Sequence, residues 1–221
     1  MSLKLIVNFD ILSCMAVEEY NSMASYYDTV LEPVLWRLRK KIVQMSRIHT
    51  GTRVLEIACG TGTQAVRFKV AGADYTGIDL SPAMLLVAKK RGLECIHADG
   101  TRLAMEPDSF DVVTITLALH EVAPEIRKGI MEEMIRVCVP GGYLVVVDYT
   151  VNKKGGLYPA LGKKTIHFIE KLVGGSHYRN YLKFMQNGGL EGFLGFFELE
   201  IEDKSFSAGG NIGIYRLLVK K

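Results

Sequence analysis

The chain has 221 residues, 48% hydrophobic and 23% charged, a balance that excludes a disordered or fibrous protein, and folding at this length buries about 70% of the unfolded chain's surface without needing disulfides or a structural metal. Its 27 basic and 24 acidic residues leave a net charge of +3, too little to argue for a nucleic-acid partner. No apolar run reaches the ~18 residues of a spanning helix, the N-terminal stretch broken by Asn8 and Asp10 is not a signal peptide, and four cysteines at least 36 residues apart offer no metal-ligand spacing, so a cytoplasmic chain with free thiols and no metal is expected.

Residues 18–48 read as a helical lead-in. Pro33 suits a first helical position, and Val34, Leu35, Leu38, Ile42 and Met45 recur at helical spacing. From Thr52 onward short apolar runs alternate with helical stretches: strand 54–58, helix 63–71, strand 75–79, helix 82–91, strand 94–98, strand 110–118, helix 124–137 and strand 143–148. Ser81 before Pro82 is a capping pair, and Gly92 is a stop. Such alternation predicts a doubly wound α/β fold with a mainly parallel sheet.

Residues 151–192 break the rhythm. They carry seven basic residues and two acids, +5 against −2 for the rest. Two helices are expected here, one from Tyr178, Tyr181, Leu182 and Met185 and ended by Asn187-Gly188-Gly189. FELEIED (197–203) alternates strictly and reads as a half-wet edge strand. A glycine loop at 209–211 leads to a final strand, 212–220, so the sheet closes on an antiparallel hairpin over 196–221 and the whole chain is read as one domain.

The stretch VLEIACGTGTQA (54–65) runs from strand through glycines into helix. Gly60 and Gly62 lack Cβ, which lets a ligand approach the backbone. Asp79 follows Gly60 by 19 residues, at the end of the second strand, where a carboxylate grips ribose hydroxyls. The pattern Gly60-x-Gly62-x-x-Ala65 formally fits a dinucleotide fingerprint, but Glu56 stands where a pyrophosphate would sit, and two like charges in one dry pocket repel. A nucleoside carrying a sulfonium and an ammonium has the opposite preference.

These residues resemble the class I S-adenosylmethionine-dependent methyltransferases. Glu56, Gly60 and Gly62 are similar to that family's first motif, with Ala58 where its first glycine usually stands. GIDLSPAML (77–85) resembles the second motif, HADGTRLAMEPDSFDVV (97–113) the third and fourth, and RVCVPGGYLVVVD (136–148) the segment leading into strand five. The resemblance covers residues 50–150 and implies a seven-stranded sheet whose last strand is reversed beside strand six. MASYYD (23–28), LALHEV (117–122) and YRNYL (178–182) are similar to the ubiquinone/menaquinone-biosynthesis C-methyltransferase group; small phospholipid N-methyltransferases share several of these features. His120 replaces that group's strand-four arginine.

The resemblance implies S-adenosyl-L-methionine as cofactor, held by Tyr27, Glu56, Ala58, Gly60, Thr61, Gly62, Asp79, Leu80, Met84, Asp99, Gly100 and Leu117. In it Glu56 holds the methionine end, Asp79 the ribose and Asp99 the adenine amino group, while Leu80 and Met84 wall the adenosine. Tyr27 would fold over the methionine end, or it is a core aromatic of the lead-in. The expected activity is methyl transfer to a small molecule, such as a quinone-precursor ring or a lipid head group. The rivals are a nicotinamide-dependent oxidoreductase and a noncatalytic S-adenosylmethionine-binding module. His120, with an unperturbed pKa of ~6.5, is the candidate general base; its alternative is to close the pocket or cap the helix after Pro124. Glu121 and Asp148 mark the rims of strands four and five, and His97 with Asp99 is too small a set for a metal. His167 and His177 fall on the solvated or substrate-facing side of the insert. The insert reads as a solvated cap, as a lid roofing the acceptor with the lead-in helix, or as a peripheral contact with anionic lipid. No oligomeric state follows from the sequence.

Overall fold

Seven strands form one sheet in a computed structural model that describes residues 35–151 and 157–221. They are β1 (Arg53–Ile57), β2 (Asp74–Asp79), β3 (Cys95–His97), β4 (Phe110–Thr116), β5 (Cys138–Tyr149), β6 (Glu200–Ser207) and β7 (Ile212–Leu218). Their spatial order is β3-β2-β1-β4-β5-β7-β6. β1 pairs in parallel with β2 and β4, and β4 with β5. β7 runs antiparallel to both β5 and β6. The strand order reverses between β1 and β4, and loops leaving those two strands diverge to opposite faces. That divergence opens a crevice beyond their carboxyl ends, the usual ligand position of an open α/β sheet.

Val54, Leu55, Val113, Ile115, Leu144, Val145, Val146 and Val147 are all buried. Their runs lack polar alternation because both faces of the central strands are covered by helices. The described helices are α1 (35–46), α2 (Thr63–Val70), α3 (Pro82–Lys90), α4 (Pro124–Val137), α5 (Leu157–Val173), α6 (Gly175–Gln186) and α7 (Gly189–Leu194). Ser81 caps α3 by accepting the Met84 N–H at 3.4 Å, with Pro82 in the first turn.

α1 docks through Leu38, Ile42 and Met45, all buried, each worth about 1.5–3 kcal/mol. Its C-terminal end is held by Arg216 of β7, whose Nη1 donates to the Met45 carbonyl at 3.2 Å and whose Nε donates to Glu202 at 2.8 Å. Lys41 adds a bond to the Phe206 carbonyl at 3.1 Å. The terminal hairpin thus fixes the helix that lends Leu35, Leu38 and Arg39 to the crevice.

Three sequence expectations shift. The fourth strand stops at Thr116 rather than Ala118, because Leu117 turns out of it with φ +53°. Asn187-Gly188-Gly189 ends α6 but at once opens a third insert helix, α7, which buries Leu190, Phe193 and Leu194. β6 starts at Glu200 rather than Phe197, since Phe197 N–H bonds the Leu194 carbonyl and the chain is still turning out of α7. Ile201 is consequently exposed on the edge, where Glu200, Glu202, Asp203 and Lys204 discourage pairing with another chain. The N-terminal part of the lead-in, with Tyr26, Tyr27 and Pro33, lies outside the described residues.

Candidate cofactor and acceptor site

A cavity of about 770 Å³ opens beyond the ends of β1, β2 and β4. Of the residues that the resemblance implies, Glu56, Ala58, Gly60, Thr61, Asp79, Leu80, Met84, Asp99, Gly100 and Leu117 line it. Tyr27 lies outside the described residues. Gly62 does not line it: a Cβ there would sit 2.3 Å from Leu93 Cδ1 and 3.3 Å from Ala88 Cβ. Its missing side chain makes room for Leu93 and Ala88, between the loop and α3. A Cβ on Gly60, by contrast, would meet nothing within 4 Å, so that side of the loop faces the cavity.

The polar corners of the cavity are held in different ways. Glu56, on β1, is 2% exposed and accepts the Tyr75 hydroxyl at 2.6 Å. Burial pushes its carboxyl up to about 7, against the pull of the Tyr75 hydroxyl and of Arg39. A buried acid in this state gains from a cation placed beside it. Asp79 accepts the Gly60 N–H at 2.7 Å and the Ser81 N–H at 2.8 Å, one on each oxygen. It is raised by burial, with the Ser81, Gly60 and Leu80 N–H groups opposing. Those two bonds tie the glycine loop to the start of α3 and leave further lone pairs on a carboxylate that lines the cavity. Asp99 is fixed by Thr101, whose N–H and hydroxyl both donate to Oδ1 at 2.8 Å.

Between these corners the walls are apolar. Met84, Ile126 and Ile130 join Leu80, which is 66% exposed. Ala58 and Leu117 close the ends of β1 and β4 in left-handed backbone, φ +56° and +53°, a conformation costing an L-residue about 1–2 kcal/mol. Cys59 also lines the cavity, but burial pushes its thiol well up and leaves it a poor nucleophile.

Arg39 was not singled out by the sequence. It reaches the same wall as Glu56 from α1. The only sequence signal was a basic residue within a helical run, and the 17-residue separation from Glu56 carries no motif.

His120 does not stand at the cavity rim as the general-base reading requires. It is 2% exposed, its Nδ1 lies 2.7 Å from Asp148 Oδ1, and its backbone N–H donates to Asp148 Oδ2 at 3.1 Å. Its Nε2 lies 3.5 Å from Glu170 and 3.9 Å from Glu121. Burial alone would lower the imidazole, but Asp148, Glu170 and Glu121 together outweigh it and lift it to about 10. Those carboxylates favour the charged form, the opposite of what a general base needs at rest. The cause is tertiary: Asp148 and Glu170 reach it from 28 and 50 residues away in sequence.

Among the described residues, the insert meets this cluster and not the cavity. His177 on α6 bonds Glu170 on α5 at 2.6 Å, and Tyr149 donates to the same carboxylate at 2.8 Å. Asn180 donates to the Glu121 carbonyl at 2.8 Å. Among the described residues none from 157–192 lines the cavity, so the expected roof is supplied there by α1 alone. Glu121 is the shared residue: it lines the cavity and faces His120 and His177.

Residues 54–142 match the model of a family described as methyltransferase domain. A demethylmenaquinone methyltransferase of Clavibacter sepedonicus is 40% identical over 105 residues, 45% of this chain and 42% of that protein. The chain spans about half the length of the first such relatives it matches. The ubiquinone/menaquinone biosynthesis C-methyltransferase UbiE of Bdellovibrio bacteriovorus is 32% identical over 209 residues, 84% of this chain and 85% of that one. A SAM-dependent methyltransferase structure from Aquifex aeolicus superposes with a TM-score of 0.60 at 16% identity, over 89% of this chain and 98% of its own, and so shares the fold. The chain belongs to the UbiE family of class I S-adenosylmethionine-dependent methyltransferases.

Proposed function

We propose that the chain transfers a methyl group from S-adenosyl-L-methionine to a small acceptor bound beside Leu117 and Glu121. The observation that carries this reading is the cavity's charge: four acids, Glu56, Asp79 and Asp99 at three corners and Glu121 at the acceptor end, against one arginine, around a glycine loop with an open backbone face. A zwitterionic nucleoside without phosphate suits that set. The α-ammonium goes to Glu56, its carboxylate to Arg39, the ribose hydroxyls to Asp79, and the adenine amino group to Asp99 between Leu80 and Met84. A dinucleotide would bring a pyrophosphate toward Glu56, which favours the methyl donor over the nicotinamide alternative.

The donor supplies a methyl already activated by its positive sulfur. The chain's own residues orient it and exclude water. Holding donor and acceptor in line removes about 7–11 kcal/mol of the barrier. The relatives named for ubiquinone and menaquinone biosynthesis support a quinone-precursor-like ring as acceptor. No described helix is long and apolar enough to cross a membrane. On α5 the exposed Phe168 lies near Lys164 and Lys171, which supports a peripheral contact with anionic lipid on this reading. The free thiols of Cys59, Cys95 and Cys138 support a cytoplasmic setting.

Calorimetry with S-adenosylmethionine, S-adenosylhomocysteine and NAD tests the ligand, and methyl-label transfer to ring and head-group acceptors tests the reaction. Binding of NAD in preference to S-adenosylhomocysteine would overturn the reading, and binding without transfer to any acceptor would favour a sensor.

A further inference from the structure

We propose that His120, Glu121 and His177 form a binding site for one divalent first-row transition cation of the Zn²⁺ type, set against the acceptor end of the cavity. One ligand atom from each lies within 4.8 Å of the other two. His120 Nε2 is 3.9 Å from Glu121 Oε1, and His177 Nδ1 is 4.0 Å from Glu121 Oε2. These gaps are too long for hydrogen bonds. They lie about half an ångström beyond the span between two ligands of a cation held at ~2.0–2.1 Å, a distance that side-chain rotation closes.

The second observation is how the far side of each ring is held. His120 turns Nδ1 to Asp148 at 2.7 Å, and His177 turns Nε2 to Glu170 at 2.6 Å. Each imidazole therefore has one nitrogen anchored on a carboxylate; His177 turns the other toward Glu121, and His120 turns Nε2 between Glu170 at 3.5 Å and Glu121 at 3.9 Å, where a bound cation takes the place of the proton that these acids favour. Metal-ligating histidines carry this arrangement, because the outer carboxylate fixes the tautomer and strengthens the ligand. The outer acids are themselves restrained, Glu170 by the Tyr149 hydroxyl at 2.8 Å and Asp148 by the N–H groups of His120 and Tyr149. Asn180 pins the Glu121 backbone. The ligands come from the turn after β4 and from α6, so the site ties the insert to the sheet.

Two imidazoles and one carboxylate suit Zn²⁺, Co²⁺ or Fe²⁺ rather than Mg²⁺ or Ca²⁺, which take oxygen ligands. Three protein ligands leave a coordination position open. The site does not depend on which methyl acceptor the cavity takes. A rival reading is a metal-free network in which protons alone bridge the histidines and acids.

The test is titration of the full chain, stripped with a chelator, with Zn²⁺ against a chromophoric competitor and with Co²⁺ read by its visible absorption. One equivalent of Zn²⁺ should bind with a Kd of about 1 μM or below, and Co²⁺ should give visible bands of low-symmetry coordination. His177→Ala should abolish the bands and weaken Zn²⁺ at least 100-fold, and Asp148→Asn should weaken it about 10–100-fold. Affinity for S-adenosylhomocysteine should be unchanged in His177→Ala, which separates this proposal from the methyltransferase reading and reports that the variant is folded. Absence of stoichiometric binding, or binding that His177→Ala leaves untouched, overturns the site.

Discussion

The two halves of the molecule meet at the end of β4 and hold their charged groups by different means. On the β1–β2–β3 side, Asp79 and Asp99 are gripped by backbone N–H groups and a threonine, and Glu56 by a tyrosine. All three line the cavity. On the β4–β5 side, His120, Asp148, Glu170 and His177 are satisfied by one another and by Tyr149. Acids held by backbone donors keep their charge available to a ligand. Acids held by histidines spend it on the network, which rigidifies the joint between sheet and insert. Among the described residues, Glu121 alone belongs to both settings.

The largest effect that tests this division is Phe184→Ala. Phe184 on α6 is buried, with the Arg127 guanidinium 4.8 Å from its ring centre. Truncation should cost about 3–5 kcal/mol in urea unfolding. Affinity for S-adenosylhomocysteine in the folded fraction should stay within about twofold of the parent, since Phe184 does not line the cavity. A parallel loss of affinity would mean that the insert supports the cofactor half after all.

Asp79→Ala should weaken S-adenosylmethionine binding by about 1.5–3 kcal/mol, roughly 10- to 150-fold by calorimetry. The Gly60 and Ser81 N–H groups lose their shared acceptor in the same change, so the glycine loop should also exchange its amide hydrogens faster. Unchanged affinity in a folded variant would remove Asp79 from the site.

The cofactor half was legible in the sequence because its parts are local. Asp79 ends β2, Gly60 and Asp99 lie in the loops just past β1 and β3, and strand ends gather at one edge of a parallel sheet. Gly62 has a packing role that its motif does not announce, because the Leu93 side chain it makes room for comes 31 residues later. His120 was found, but its unperturbed imidazole value says nothing of the Asp148 and Glu170 carboxylates that favour its charged form. Arg39 was missed, since its place depends on how Arg216 and Lys41 dock α1. Strict alternation drew the sixth strand three residues early, since Phe197 and Leu199 pack against the core from a turn.

Glu56→Gln sharpens the contrast by opposing stability to binding. The Glu56 carboxyl, raised to about 7 by burial, favours the protonated form in the folded chain. The ligand-free protein should therefore lose stability as pH rises from the unfolded value near 4.5 through 7, and the loss is complete above that. Glutamine keeps an acceptor for Tyr75 and removes the ionisation. At pH 8 the variant should be more stable than the parent by about 3 kcal/mol, with little difference at pH 4.5, while its affinity for S-adenosylmethionine falls at least tenfold. A variant less stable at pH 8 would show that the carboxylate already has a cation, with Arg39 the first to suspect.

The smallest effect concerns Ala58, the residue standing where the resembled first motif usually has glycine. Its φ of +56° costs an L-residue about 1–2 kcal/mol, and glycine would relieve it. Against that, glycine makes the unfolded chain more flexible by about 0.4–1 kcal/mol. The net for Ala58→Gly is a gain of up to about 1 kcal/mol, or a rise in Tm of roughly 1–3 °C. The side chain lines the cavity, so its loss also widens the wall beside Gly60, and S-adenosylhomocysteine affinity should move by no more than about threefold. The opposite outcome, a Tm lowered by more than about 3 °C, would mean that the Ala58 methyl makes contacts worth more than its backbone strain. Strain at the end of β1 would then be a consequence of packing, as the glycine at position 62 already is on the other side of the loop.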